Sequence, residues 1–250
     1  MKSFKELAHR DKPAYGAYIG DTGATVAEIA ACAGFDFLRV DCEHTMAGCE
    51  HLKSIIRIAD GEGLPTLVRI SSLDDISRLL DFGASGILIP SVSTPEQVRD
   101  AVMRCKYAPL GQRGISNISR VVRYGDITLS KQLAKANDEV CLAVQIETAE
   151  GVENIDAILD VERIDIVTVG AQDLSQSMGV AGQSKHPSVL AAQDMVVHKA
   201  LERGLLPLGT ASTPQQAKAY AEQGVLLQNI CFDTNFIWQQ FKTLLATYRE

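Results

Sequence analysis

The sequence lacks several features that mark whole classes of protein. No apolar run approaches the roughly 18 residues that span a membrane, and the opening Met-Lys-Ser-Phe-Lys-Glu-Leu is too polar for a signal peptide. The six cysteines form no Cys-x-x-Cys pair, and most lie inside apolar segments, which argues against a zinc knuckle or a disulfide framework. We therefore expect a cytoplasmic protein with reduced thiols.

Positive charge is also scarce. The chain has 24 Lys and Arg residues against 31 Asp and Glu, which gives a net charge of −7 at pH 7. This balance argues against binding to nucleic acid or to a membrane surface. With 46% hydrophobic and 22% charged residues, the composition is typical of a globular protein, and 250 residues fit one domain covering residues 1–250.

Short apolar, β-branched runs alternate with segments of helical period along the chain. This alternation predicts eight buried strands, each followed by a helix, and therefore an α/β fold with a single (β/α)8 TIM barrel. A doubly wound open sheet is the competing topology, but no Gly-x-Gly-x-x-Gly follows the first strand. The predicted strands are Tyr15–Ile19, Phe35–Asp41, Thr66–Ile70, Gly86–Pro90, Val140–Glu147, Asp165–Gly170, Leu206–Thr210 and Leu226–Phe232.

Capping signals mark several of the predicted helices. Ser72 and Gly83 bracket one helix, and Thr94 and Thr213, each followed by proline, predict two helix starts. An irregular segment at about 107–126, which carries three arginines, breaks the pattern. In barrels, a loop of this length is typical of a cover over the site or of a subunit contact.

Polar residues follow the predicted strands, at the barrel face where this fold gathers its chemistry. Glu147 and Asp173 end neighbouring strands, so their carboxylates can converge on one point. Two such carboxylates repel unless a proton or cation lies between them, and together with waters they suit Mg²⁺ or Mn²⁺. Each could instead pair with a barrel arginine or cap a helix. No lysine ends a strand, so Schiff-base chemistry is not expected.

Two further residues at strand ends are candidates for catalysis. His44 follows a glutamate and lies three residues after Asp41, and a nearby carboxylate would raise the basicity of its imidazole; a solvated loop histidine is the alternative. Arg69 ends an otherwise apolar strand and needs an anion. That anion is either a substrate carboxylate or enolate, or a salt-bridge partner such as Asp41 or Glu43.

Short motifs run along the chain in a characteristic order: Ala33-Gly34-Phe35-Asp36-Phe37, Asp41-Cys42-Glu43-His44, Val68-Arg69, Leu80-Asp81-Phe82-Gly83-Ala84, Ile89-Pro90, Tyr107-Ala108-Pro109-Leu110-Gly111-Gln112-Arg113-Gly114, Ala136-Asn137, Gln145-Ile146-Glu147-Thr148 and Gly170-Ala171-Gln172-Asp173-Leu174-Ser175. In this order they resemble the HpcH/HpaI aldolases. The resemblance covers about residues 15–233, and its motifs are specific jointly rather than singly.

The resemblance implies a metal-dependent, class II pyruvate aldolase on a TIM barrel. Such an enzyme reversibly cleaves a 4-hydroxy-2-oxo acid to pyruvate and an aldehyde through a metal-stabilised pyruvate enolate. By the same resemblance, Glu147 and Asp173 would hold the divalent cation, Mg²⁺ or Mn²⁺ first and Co²⁺ or Zn²⁺ as alternatives. Gln145, Asp173 and the backbone around Gln172 would position the substrate, and Arg69 would contact it and stabilise the enolate oxygen.

The resemblance further implies a site shared between subunits. His44 would act as the base through a metal-bound water, with Asp81 raising its basicity and Asp41 supporting the same site. Asp81 lies at the end of a predicted helix, on the barrel face opposite His44, so it must come from a neighbouring subunit. We therefore expect a homo-oligomer, a hexamer built as a dimer of trimers.

The chain departs from the family pattern at a few positions. Ala171 stands where proline is usual, and Ala108 replaces the first proline of a Tyr-Pro-Pro motif. These changes concern the choice of aldehyde rather than the pyruvate chemistry. Two enzymatic alternatives use the same metal–enolate site, namely oxaloacetate decarboxylation and acyl-CoA ester cleavage. A third alternative is a non-catalytic barrel that binds a small acid.

Overall fold

Eight parallel strands close into a barrel in which each strand pairs with its sequence neighbours and the last pairs with the first. The structure, a computed structural model, describes residues 3–8, 11–46 and 48–249. The eight predicted strands are confirmed to within two residues at each end, and the open sheet is ruled out. The strands are β1 Ala14–Ile19, β2 Phe37–Asp41, β3 Thr66–Arg69, β4 Gly86–Ile89, β5 Cys141–Ile146, β6 Ile166–Val169, β7 Leu206–Thr210 and β8 Leu227–Phe232.

Helices follow each strand and surround the barrel. Two short 3-10 helices, at Leu73–Asp75 and Arg120–Gly125, lie among them. No helix among the residues described has both the length and the apolar character needed to cross a membrane. The α-helices are α1 Phe4–Ala8, α2 Ala24–Cys32, α3 Cys49–Gly61, α4 Ile76–Phe82, α5 Pro95–Cys105, α6 Leu129–Glu139, α7 Ala149–Glu153, α8 Ile155–Leu159, α9 Ala171–Ser177, α10 Pro187–Glu202, α11 Pro214–Glu222 and α12 Asp233–Thr247.

The predicted helix boundaries are confirmed where capping residues marked them. Thr94 caps α5 in a reciprocal arrangement with Gln97, and the Thr213 hydroxyl accepts from the backbone N–H of Gln216 in the first turn of α11. The Ser72 hydroxyl accepts from a backbone N–H of the 3-10 helix that precedes α4. Gly83 ends α4 with a φ of 106°, a left-handed conformation that favours glycine.

The barrel interior is apolar at its amino end and polar at its carboxyl end. Phe37, Leu67 and other buried side chains fill the lower interior, and α1 closes the opening with Phe4, whose ring meets Phe37 edge-on at 5.7 Å. Gly16 leaves room for this ring, because a Cβ there would lie 2.2 Å from it. With the amino end sealed, only the carboxyl end offers an accessible interior.

The irregular segment at 107–126 packs on the amino end of the barrel. Arg113 NH2 donates to Asp81 Oδ1 at 2.5 Å, beside the carboxyl end of α4. Arg120 pairs with Asp60 of α3 and donates to the Phe82 carbonyl at 3.1 Å. The segment therefore lies away from the carboxyl end of its own barrel. If it covers an active site, that site must belong to another copy of the chain.

Candidate active site

A cavity of about 1030 Å³ opens at the carboxyl ends of the strands. It extends outwards past β7, where α10 and α11 form part of its wall. Several of the polar residues that the sequence singled out line it, although Glu147 and Asp81 are not among them. Among its lining residues are Asp41, His44, Arg69, Gln145, Gln172 and Asp173.

On one side of the cavity, Arg69 is bound by oxygen atoms at every nitrogen. Its Nε and NH2 form a bidentate pair with the two carboxylate oxygens of Asp41, each at 2.7 Å. NH2 also donates to the Tyr18 hydroxyl at 2.7 Å, and NH1 lies 2.9 Å from Glu43 Oε2. The salt-bridge alternative is thus present in the structure, and a role for Arg69 at the enolate stays a prediction.

The charges of this group follow from its contacts. Burial alone would raise the pKa of Asp41, but the hydrogen bonds from Arg69 outweigh it and lower that pKa to about 2. The same bonds raise the pKa of Arg69 against the opposing effect of its burial. Burial also raises the pKa values of Tyr18 and Glu43. At neutral pH the Arg69–Asp41 pair is therefore ionised and the Tyr18 phenol is neutral.

His44 lies at the rim of the cavity, with 65% of its side chain exposed. Its Nε2 is 3.7 Å from Glu43 Oε2, which makes Glu43 its carboxylate neighbour within the chain. Asp81 instead lies near the amino end of the barrel, where it binds Arg113. The structure therefore does not bring Asp81 and His44 of one chain together, in agreement with the expectation that such a contact needs two subunits.

Glu147, which is buried directly after β5, is held by neutral donors. Its Oε1 accepts from the Ser91 backbone N–H at 2.7 Å and from the Ser91 hydroxyl at 2.9 Å, and its Oε2 accepts from Gln145 Nε2. Ser91 has a φ of 53°, which a serine adopts only at a cost of about 1–3 kcal/mol, and this conformation accompanies both of its bonds to Glu147. A Cβ at Gly170 would lie 2.2 Å from Glu147 Oε2, so glycine is required there.

Asp173 lies in the first turn of α9, directly after β6. Its side chain is exposed, and it makes no ion pair or hydrogen bond with any residue that the structure describes. The neighbouring Gln172 donates to the Ser184 hydroxyl at 3.3 Å, so the start of α9 is tied to the loop that precedes α10. Asp173 therefore keeps both carboxylate oxygens available for a ligand.

The donor atoms of Glu147 and Asp173 fit a hard divalent cation. Asp173 offers two unbound oxygens, and Glu147 Oε2 accepts only one hydrogen bond, which leaves it a lone pair. The described residues contain no cluster of three or more His, Cys, Asp or Glu side chains that could hold a metal ion, so a cation at this pair would need water and substrate oxygens as further ligands. Mg²⁺ is typically held by one or two carboxylates together with waters and substrate oxygens, which this pair can match.

Three residues of the site, Tyr18, Arg39 and Ser91, were missed by the sequence analysis. Arg39 on β2 donates to Gln145 Oε1 at 2.6 Å, and its guanidinium lies 4.9 Å from the centre of the Tyr18 ring. Arg39 lies two residues before Asp41, so strand alternation could have placed both side chains inside the barrel. Ser91 offered no such signal, because its role depends on a backbone conformation that its sequence context does not specify.

Comparisons with known proteins identify relatives over nearly the whole chain. The family model described as HpcH/HpaI aldolase/citrate lyase matches residues 14–239. A 4-hydroxy-2-oxo-heptane-1,7-dioate aldolase from Shigella sonnei (strain Ss046) is 36% identical over 249 residues, which cover 98% of this chain and 94% of that protein.

Solved structures agree with these sequence matches. An HpcH/HpaI aldolase from Desulfitobacterium hafniense DCB-2 superposes with a TM-score of 0.92 at 29% identity, covering 100% of this chain and 98% of that one. The citrate synthase SbnG superposes with a TM-score of 0.90 at 28% identity, covering 99% of this chain and 97% of that one. The likeness therefore extends to both aldolases and a synthase.

Proposed function

The chain is a carbon–carbon lyase of the HpcH/HpaI aldolase/citrate lyase family, and we propose that it reversibly cleaves a 4-hydroxy-2-oxo acid into pyruvate and an aldehyde. One observation supports this proposal above the others. Two carboxylates, Glu147 and Asp173, follow neighbouring strands at the open end of the barrel and form no ion pair with any described residue. A divalent cation, bound together with a 2-oxo acid, would supply the positive charge that balances these two carboxylates.

Glu147 and Asp173 would hold the cation, with Mg²⁺ or Mn²⁺ favoured by their oxygen donors and Co²⁺ or Zn²⁺ as alternatives. When bound, the cation would supply a Lewis acid that withdraws electrons from the 2-oxo group. Gln145 and Ser91 hold the Glu147 carboxylate in place, and Gly170 leaves it room. Asp173 and the backbone around Gln172 would position the substrate beside it.

Cleavage of the acid requires that the C4 hydroxyl lose its proton and that the electrons left on pyruvate be stabilised. His44 at the cavity rim can accept this proton at an imidazole nitrogen. Arg69 can donate to the developing enolate oxygen from a position that Asp41 fixes bidentately. Each task thus falls to a side chain that lines the cavity.

The proposal is tested by two measurements on the purified protein. Incubation with a 4-hydroxy-2-oxo acid and Mg²⁺ should release pyruvate, detected by a coupled reduction to lactate. Pyruvate alone with Mg²⁺ in D₂O should exchange its methyl protons, because enolate formation does not need the aldehyde. Binding without exchange or cleavage would instead support a non-catalytic barrel that binds a small acid.

The likeness to a citrate synthase favours a second candidate function. In this candidate the same site decarboxylates oxaloacetate or cleaves an acyl-CoA ester. Incubation with oxaloacetate, followed by comparison of its turnover with that of a 4-hydroxy-2-oxo acid, separates the two functions. Faster turnover of oxaloacetate would favour the second candidate.

We also propose that the enzyme assembles as a homo-oligomer, a hexamer made as a dimer of trimers. Asp81 can reach His44 only from a second copy, because the two lie at opposite ends of one barrel. The last helix, α12, supports assembly as well, since Phe236, Trp238 and Phe241 are each more than half exposed on it. A second copy of the chain would cover these side chains. Its β8 offers an apolar contact for them, because Ile230 is 43% exposed on the barrel wall.

Mixing inactive variants tests the shared site. His44→Ala and Asp81→Ala should each be nearly inactive alone. Hybrids formed by dissociating and reassociating the two should regain part of the activity, because some sites would receive both intact residues. A fully active monomer in sedimentation at assay concentration would overturn both the hexamer and the shared site.

The cysteines support a cytoplasmic location, which we propose for this enzyme. All six are unpaired, and reducing compartments are where free thiols persist. Burial raises the pKa of Cys105 to about 12, so its reactive thiolate does not form at neutral pH. Cell fractionation with an antibody to the protein would test the location directly.

A further inference from the structure

Arg39 crosses the interior of the barrel below the cavity. It lies on β2, which pairs only with β1 and β3, yet its NH2 donates to Gln145 of β5 at 2.6 Å. A bond between strands that are not neighbours requires the side chain to span the interior. The guanidinium therefore lies at the floor of the site, and Arg39 is one of the residues that line the cavity.

Asp41 and Glu147 attract the charge of Arg39 but form no ion pair with it. The residue is 6% exposed, and no ion pair joins it to any described residue. Its protein contacts are one neutral amide, Gln145, and the face of the Tyr18 ring, and its buried Nε has no acceptor. A buried cation is ordinarily paired, since its desolvation costs several kcal/mol.

Arg69 shows what a paired arginine looks like in the same cavity. Its nitrogens contact Asp41, Glu43 and Tyr18, so its charge is balanced within the protein and one N–H of NH1 is left for a ligand. Burial lowers the pKa of Arg39 to about 10, which still leaves the guanidinium charged at neutral pH. Of the two arginines at the site, Arg39 has more unused hydrogen-bonding capacity, since its one bond is to Gln145.

We propose that Arg39 binds the carboxylate group of the substrate acid at the floor of the site and thereby determines selectivity for anionic 2-oxo acids. A carboxylate matches the planar fork of a guanidinium and would balance its charge. This inference depends on the proposed function, because it takes the ligand to be a 2-oxo acid. Arg39 would act from below the substrate, opposite the cavity mouth.

A purely structural role for Arg39 makes different predictions. If Arg39 only held Gln145, its loss would weaken every ligand alike and would lower the stability of the fold. If it binds a carboxylate, its loss should weaken charged ligands selectively. Replacing the unbalanced charge by an apolar side chain of similar length should then leave the melting temperature equal to or above that of wild type.

The test compares binding of pyruvate and of its uncharged amide, pyruvamide, by calorimetry in the presence of Mg²⁺. Arg39→Met should weaken pyruvate binding by about tenfold to a hundredfold, in the range of a hydrogen bond to a charged group. Pyruvamide binding should change little. Arg39→Lys keeps the charge and should recover part of the pyruvate affinity. Arg57→Met, on the exposed surface of α3, is the matched control.

Each outcome decides the matter. Selective loss of pyruvate binding with an unchanged or raised melting temperature supports the proposal. Equal loss for both ligands, or a fall in melting temperature for Arg39→Met and Arg39→Lys alike, overturns it in favour of a structural role. Wild-type affinity in Arg39→Met overturns it while leaving the lyase function intact. Failure of the wild type to bind any 2-oxo acid would overturn the proposed function and this inference with it.

Discussion

The carboxylates on two sides of the barrel's open end differ in whether a cation of the protein forms an ion pair with them. Beside β2 and β3, Asp41 and Glu43 contact Arg69, so much of their charge is cancelled within the protein. Beside β5 and β6, Glu147 receives only neutral donors, and Asp173 has no partner among the described residues. We call Asp41, Glu43 and Arg69 the closed side, because their ion pairs fix their positions. We call Glu147 and Asp173 the open side, because their carboxylates remain able to bind a cation.

Removal of divalent cations tests the open side and should have the largest effect. Chelation by EDTA should abolish aldol cleavage, because Glu147 and Asp173 form no ion pair in the described part of the chain and the proposed reaction needs a bound cation. Added Mn²⁺, Mg²⁺ or Co²⁺ should restore activity, measured as pyruvate release.

A substitution gives the matching genetic control. Asp173→Asn removes charge from the open side with little change in volume, and it should abolish activity at any metal concentration that saturates the wild type. Full activity in EDTA, or trapping of a pyruvate imine with borohydride, would show that the reaction is not of the class II type.

Substitution of Arg69 tests whether the closed side also acts on the substrate. If its guanidinium stabilises negative charge during cleavage, Arg69→Ala should reduce turnover on the order of 10²–10³-fold. Arg69→Lys should recover little, since lysine cannot reproduce the bidentate bond to Asp41. Turnover is measured below the melting temperature of each variant, because loss of Arg69 also leaves Asp41 buried without a partner.

The control for this substitution is Arg57→Ala, on the exposed surface of α3, which should behave as wild type. If Arg69→Ala stays within a few-fold of wild type, Arg69 serves only to pair Asp41 and Glu43. The two sides of the cavity would then divide cleanly into a structural side and a chemical side.

Ser91 tests how far the open side depends on its neutral donors. Ser91→Ala removes one of two bonds to Glu147 Oε1 and keeps the backbone N–H. Metal affinity, measured by titration with Mn²⁺ and electron paramagnetic resonance, should fall about tenfold, as for other residues that orient a metal ligand.

Ser93→Ala is the matched control, since Ser93 bonds to Thr148 rather than to Glu147. The same metal affinity in Ser91→Ala as in wild type would mean that the backbone N–H alone holds the carboxylate.

The sequence allowed the barrel and the positions of Glu147 and Asp173 after its strands to be predicted, for a clear physical reason. Strand and helix patterns repeat along the chain, and Glu147 and Asp173 follow the neighbouring strands β5 and β6 within a few residues, so local information placed them. Helix caps such as Thr94 are equally local.

The closed side could not be predicted in the same way, because its features depend on contacts between distant segments. Whether Arg69 meets Asp41 or a ligand is decided by side-chain geometry across β2 and β3. Strand alternation could place Arg39 inside the barrel, but not its partner, because Gln145 is 106 residues away along the chain. The partner of Asp81 within its own chain, Arg113, comes from an irregular loop without a periodic pattern.

The smallest expected effect is a pH dependence of stability on the closed side. Asp41 has a pKa of about 2 in the folded protein and about 3.9 when unfolded, so its ionised form stabilises the fold above about pH 4. That stabilisation is lost as the pH falls from about 4 through 2, because the unfolded chain binds the proton more tightly.

Asp41→Asn cannot take up this proton. The unfolding free energy of wild type minus that of Asp41→Asn, from urea titrations, should therefore shrink by about 1 kcal/mol between pH 6 and pH 3. Asp126→Asn, at an exposed aspartate, should show a constant difference from wild type. A constant difference for Asp41→Asn as well would mean that Arg69 does not hold Asp41 in its charged state, and that the closed side is no more fixed than the open one.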